Sequence, residues 1–124
     1  MNNKLYKNLL LAKEELNSII ENKVGVYQLV NLINGKTYVG SSVNLKRRLI
    51  EYLNPLYINR NLAKGNSKIL NALLKYGFIN FGIRILEFIE FETKQTKSEV
   101  KNILLPLLLT ARAKGKRADR KSVV

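Results

Sequence analysis

The pair Asn34-Gly35 lies between two runs of β-forming residues and restricts the fold of this chain more than any other feature. Gly25-Val26-Tyr27-Gln28-Leu29-Val30-Asn31 reads as one strand and Lys36-Thr37-Tyr38-Val39-Gly40 as its return strand. Asn-Gly is the strongest short hairpin signal because both residues tolerate positive φ, so a type I′ turn is expected there. The six residues from Asn31 to Lys36 leave the register of the ladder open. Whatever the register, the hairpin sets Tyr27 and Gly25 on one strand beside Tyr38 and Gly40 on the next.

Helical periodicity surrounds the hairpin. Leu5, Leu9, Ala12, Leu16, Ile19 and Ile20 predict a first helix over 3–22. Residues 44–53 carry apolar side chains at Leu45, Leu49, Tyr52 and Leu53 and stop before Pro55, a short amphipathic helix that also bears Lys46, Arg47 and Arg48. Residues 55–66 read as a polar loop with Arg60, Lys64 and Gly65, Ser67 caps a helix that stops at Gly77, and 81–88 resemble a buried third strand. Thr96-x-x-Glu99 is a capping box ahead of Val100, Ile103, Leu104 and Leu107. Pro106 inside that pattern costs about 3 kcal/mol and predicts a kink or an end. The expected fold is a small α/β domain whose short mixed sheet of about three strands, begun by the hairpin, is flanked by helices. Three segments are expected: an N-terminal helix over 1–23, a domain over 24–105, and a basic arm over 106–124.

Composition narrows the chemistry. The chain has 124 residues with no histidine and no cysteine, which excludes thiol catalysis, a histidine base and Cys/His zinc sites. Tyr, Asp, Glu and Lys remain for acid–base work. The net charge is +13, and the stretches 25–95 and 96–124 hold nearly all of the excess, so a polyanion is the expected partner. The run Ile103 to Leu109 is far short of the ~18 residues that span a bilayer. Asn, Lys, Ile and Tyr make up 47 of the 124 residues, all read by A/T-rich codons, and the N-terminus has neither a secretory nor an imported-transit pattern. A product of an A/T-rich organellar genome, located in the mitochondrion, is the reading that fits both.

Taken together, the tripeptides Gly25-Val26-Tyr27 and Tyr38-Val39-Gly40, Ser41-Ser42, the paired arginines, Lys75-Tyr76-Gly77, Asn80-Phe81 and Ile85-Leu86-Glu87 resemble the GIY-YIG nuclease family over about Val24 to Leu105. The likeness is greatest to its mitochondrial intron-encoded homing branch. The resemblance implies that Tyr27 activates the nucleophile, that Tyr38 positions it and the phosphate, and that Arg48, ten residues after Tyr38, contacts the scissile phosphate. It implies that Gly25 and Gly40 are structural, that Tyr52 reaches the site from one turn beyond Arg48, and that Mg²⁺ or another divalent cation assists. DNA is the partner by family. Lys46, Arg47, Arg60, Lys114, Lys116, Arg117, Arg120 and Lys121 are further candidates for contacts to nucleic acid.

One element of the pattern is missing. The family carries a glutamate metal ligand in the helix after the third strand, and alignment of Ser98 to Leu105 with that helix puts its position at about Leu108. A leucine binds no hard cation. Glu99 is the nearest acidic candidate for the metal, though its place in the capping box explains it without one. Two expectations follow. One is an endonuclease domain impaired by the loss of its metal ligand. The other is a dead nuclease retained as a structural, RNA-binding component of a mitochondrial ribonucleoprotein such as the mitoribosome, with protein partners as well.

Overall fold

The computed structural model describes residues 4–89 and 97–118, with side chains over 4–89 and 99–113. Its centre is a four-stranded sheet in the order β1-β4-β2-β3, formed by β1 (Tyr6–Lys7), β2 (Val24–Asn31), β3 (Thr37–Ser42) and β4 (Phe81–Ile89). Every pairing is antiparallel. The expected three-stranded mixed sheet is corrected on both counts. The extra strand is only two residues long, Tyr6 and Lys7 opposite Ile83 and Gly82, too short to show a period-two pattern in sequence.

The hairpin forms where the two apolar runs place it, but its turn is not type I′. Asn31 N–H donates to the Lys36 carbonyl at 2.8 Å, closing a four-residue loop in which Gly35 has φ 77 and Asn34 does not take positive φ. Asn31 stabilises that loop by accepting from the Ile33 N–H at 2.9 Å through its own Oδ1. Only one left-handed residue is then needed, and glycine supplies it. Tyr27 is thereby registered opposite Gly40, and Leu29 opposite Tyr38.

Among the described residues five α-helices cover the sheet: α1 (Leu9–Leu16), α2 (Leu45–Tyr52), α3 (Pro55–Lys64), α4 (Lys68–Tyr76) and α5 (Lys97–Ala118). The first is shorter than its periodicity predicts. Asn8, at φ 65, breaks from β1 and caps the helix by accepting from Leu10 N–H, while Leu9, Ala12, Leu16 and Ile20 still reach the core. The loop expected over 55–66 is also corrected, because 55–64 form α3. Its start signal is Asn54, whose side chain accepts from Leu56 N–H, followed by Pro55 at the first helical position, where a proline lacks nothing the helix needs. Ser67 and Gly77 bound α4 as expected, Gly77 at φ 87.

The sheet has two apolar faces. On one, Tyr27, Leu29, Ile83 and Ile85 pack with α1, α2, α3 and α4. On the other, Val24, Val26, Val39 and Ile89 pack with Val100, Leu104 and Leu108 of α5. Pro106 does not end α5, which runs on through it. Leu104 and Leu108, one turn apart, hold the helix to the sheet, while Pro106 itself lies on the exposed side where water can satisfy the carbonyl it leaves free. The boundary read between 105 and 106 therefore falls within one helix. The capping residue Thr96 lies outside the described residues, as do Arg120 and Lys121. Among the described residues no helix is long and apolar enough to cross a membrane.

Leu108 is only 8% exposed within this second cluster. Leu108→Glu should therefore lower stability by about 2–5 kcal/mol, from lost apolar burial and a desolvated carboxyl. A urea midpoint equal to that of the wild type would show that α5 does not use Leu108 to dock.

Candidate active site

By strand alternation Tyr27 and Leu29 point from β2 to the face covered by α1 to α4, as a side chain at Gly25 would, and two close approaches fix what fits there. A Cβ at Gly25 would strike the Glu87 carbonyl oxygen across the ladder. At Gly40 a Cβ would lie 2.5 Å from Tyr27 Oη and 2.9 Å from Tyr38 Cε2. The two tyrosines thus occupy the space that the Gly40 side chain leaves, their ring centroids 6.5 Å apart.

Helix α2 brings the next two groups. Asn44 caps it by accepting from Arg47 N–H at 3.0 Å, and Ser42 Oγ in turn accepts from Asn44 N–H at 3.0 Å, so β3 leads into the helix with its polar groups paired. Arg48 and Tyr52, four residues apart, share the face turned to β2. The Tyr52 and Tyr27 hydroxyls meet at 2.5 Å, with ring centroids 6.0 Å apart in an edge-on arrangement. Both tyrosines are almost fully enclosed, at 3% and 2% exposure, and the void beside them measures about 10 Å³, room for at most one water.

Burial dominates the acid–base character of this pair. It pushes the Tyr27 phenol well above its ordinary value; the Tyr52 hydrogen bond, Arg48 and Arg112 pull it back, while Tyr38 adds to the rise. Burial, followed by the neighbouring Tyr27 and Tyr38, pushes Tyr52 up as well, and the shared hydrogen bond raises Tyr52 while it lowers Tyr27. Both are neutral at pH 7. Should one lose its proton, it is Tyr27, with Tyr52 as donor and the two arginines as counter-charges.

Arg48 is the cation closest in role to that oxygen pair. Burial works against its charge, and Tyr27, Tyr52 and Glu51 outweigh it, so its pKa is held above the ordinary value. Its Nε stands 3.3 Å from Glu51 Oε1, yet the N–H is not aimed at that oxygen, leaving a buried donor without a hydrogen bond. An unpaired buried N–H costs about 1–3 kcal/mol and awaits an acceptor.

Arg112 was not singled out by sequence, since one arginine in a basic run carries no mark. From α5, on the opposite face, it reaches the free edge of β3 and donates from Nε to the Val39 carbonyl at 3.1 Å. That carbonyl belongs to the peptide leading into Gly40, so the guanidinium comes to the margin of the tyrosine cluster from the far side of the sheet.

The remaining candidates stand apart. Lys46 pairs with Glu21 at 3.3 Å, Arg47 with Glu51 at 3.9 Å, and Arg60 is exposed on α3. Lys114, Lys116 and Arg117 continue α5 by backbone. Among the described residues the positions expected to serve a divalent metal do not: Leu108 is in the apolar cluster, and Glu51 faces two arginines. Among the described residues there is no group of three or more side chains that could hold a metal ion, and Glu99 is exposed in the first turn of α5.

Comparison with known proteins converges on one family. The profile of the GIY-YIG catalytic domain matches residues 23–104. A curated protein of Neurospora crassa, named "Probable intron-encoded endonuclease 1", is 31% identical over 76 residues, or 61% of this chain. The chain spans 23% of that protein's length. A mutant of the catalytic domain of intron endonuclease I-TevI aligns with 69% of this chain and 84% of its own, at 29% identity and a TM-score of 0.41.

The enclosed phenols set a pH dependence. The folded state keeps protons that the unfolded chain releases above the ordinary value of 10.0, so the unfolded state binds fewer protons there and stability falls as pH rises. The contribution is complete below about pH 10 and is lost as pH climbs toward the folded values. Tyr52→Phe should flatten the fall of the urea midpoint between about pH 8 and about pH 11 relative to wild type. Equal slopes would place the alkaline sensitivity elsewhere.

Proposed function

The chain belongs to the GIY-YIG catalytic-domain family, and from that premise we propose that it is an endonuclease-derived domain that grips a nucleic-acid phosphodiester and cleaves it weakly or not at all. The observation that carries this reading is Arg48, held beside the Tyr27–Tyr52 pair with Nε inside the cluster while 36% of its side chain stays exposed. The exposed end of its guanidinium can meet a phosphate oxygen, and Arg112 and Tyr38 offer further contacts at the margin of the same cluster.

GIY-YIG nucleases act on DNA and generally depend on a divalent metal, which neutralises charge at the phosphate. Arg48 and Arg112 are cations of this chain placed to share that task. Tyr38 and Arg48 orient the phosphate. Tyr27, protonated and enclosed, can take a proton from the attacking water only after giving up its own, a state that burial disfavours. Slow chemistry follows from both features. The intron-encoded relative supports a homing-type origin in an organellar gene, and the A/T-rich composition is what supports a mitochondrial location.

A second reading has a specific observation in its favour, the apolar burial of Leu108 where the family resemblance expects a metal ligand. It makes the chain a catalytically silent domain retained for RNA binding in a mitochondrial ribonucleoprotein such as the mitoribosome, with the positive charge of α5 as its contact surface.

Plasmid nicking with Mg²⁺ and a salt series of DNA and RNA affinities separate these. Arg48→Ala should weaken duplex DNA binding about tenfold, the value of one hydrogen bond to a charged group. Wild-type nicking should stay near background. Brisk Mg²⁺-dependent nicking abolished by Arg48→Ala would overturn the impairment, and RNA bound more tightly than DNA at every salt concentration would favour the second reading.

A further inference from the structure

A cavity of about 570 Å³ opens beside the tyrosine cluster, between the hairpin and α4, and lies within the size range of small-ligand pockets. Leu29, Ile69, Ala72 and Phe81 make its floor, and Tyr38 and Tyr76 contribute aromatic walls. Lys36, Lys68 and Lys75 stand among the lining residues, and no acidic residue does. Amides complete the lining. Asn31 Oδ1 is occupied by backbone N–H groups, which leaves its Nδ2 as the donor it can offer, and Asn71 Nδ2 is occupied by Asn66 Oδ1 and Ser67 O, which leaves Asn71 Oδ1 as an acceptor.

We propose that this cavity binds one unpaired nucleotide of the nucleic acid, its base on the apolar floor beside Tyr38 and Tyr76 and its phosphate toward Lys36, Lys68 and Lys75. An apolar floor and aromatic walls accept the face of any base, the amides meet its edge, and the absence of carboxylates suits an anion. A base within a duplex is stacked on both faces and cannot enter a concave pocket, so the nucleotide must be single-stranded or extruded. Tyr38 borders both this cavity and the Tyr27 cluster, so the strand that enters the cavity is the one that passes Arg48. The inference rests on the reading of the chain as a nucleic-acid-binding domain.

The test uses the full chain, dAMP and dTMP as probes, and Ala72→Phe, which fills the cavity from its floor, beside Lys68→Ala, which leaves the floor untouched. Amide chemical shifts of residues 66–76 and 36–38 should move saturably with either mononucleotide, and Ala72→Phe should abolish those shifts while the remaining spectrum stays folded. Both variants should weaken binding of a single-stranded oligonucleotide about tenfold, and Ala72→Phe should leave that of a continuous duplex within about twofold. Mononucleotide shifts that are absent, or that fall outside these residues, overturn the pocket. If single-strand affinity is also unchanged in both variants while wild type binds duplex, the pocket fails and the parent reading stands. If wild type binds no nucleic acid of any kind, the parent reading fails instead.

Discussion

The contact between the Tyr27 and Tyr52 hydroxyls constrains everything built on this sheet. Two phenol oxygens sit in an otherwise apolar cluster and share one hydrogen bond, one hydroxyl donating to the other. Leaving either unpaired would cost about 1–3 kcal/mol, a large share of the stability of a small domain. The contact therefore fixes the rotation of α2 against β2 more sharply than apolar packing by Leu45 and Leu49 alone. Because Arg48 is one turn before Tyr52, the same rotation turns its guanidinium toward the tyrosines. Gly40 permits the arrangement by leaving the Tyr27 ring its space.

The opposite face carries a different compromise. Helix α5 must cover Val24, Val26 and Val39, and it does so with Val100, Leu104 and Leu108 at helical spacing. A carboxylate at 108 would leave that face poorly covered. The chain has the apolar solution. The same helix then delivers Arg112 to the edge of β3, so positive charge at the site is contributed by side chains from both layers. Arginine is suited to this because its fixed fork keeps donors free for a phosphate after Nε has bonded the Val39 carbonyl.

The two tripeptides, the Asn-Gly turn and the arginine helix were legible in sequence because each depends on local chemistry. Strand alternation, a glycine in the turn and an Asn44 cap act within a few residues of one another. Readings failed where local signals competed. Asn54-Pro55 is both a stop for α2 and a start for α3, and the sequence reading took only the stop. Pro106 argued for a kink or an end, and α5 does not end there because two leucines one turn apart hold it to a sheet that no local pattern reveals. The two-residue strand at Tyr6 exists only because β4 presents a free edge to it.

What the sequence by itself determined was the inventory and its order: a hairpin that sets two tyrosines side by side, an arginine ten residues on, a positive charge fit for a polyanion, and no histidine or cysteine. Tertiary structure alone decided how these residues act. It buried Tyr27 against Tyr52 and so kept both phenols protonated, left Arg48 Nε without an acceptor, carried Arg112 round the sheet edge, and opened a cavity between the hairpin and α4. The reason is physical: desolvation and hydrogen-bond satisfaction depend on neighbours that lie far away in the chain, and only packing brings them within reach.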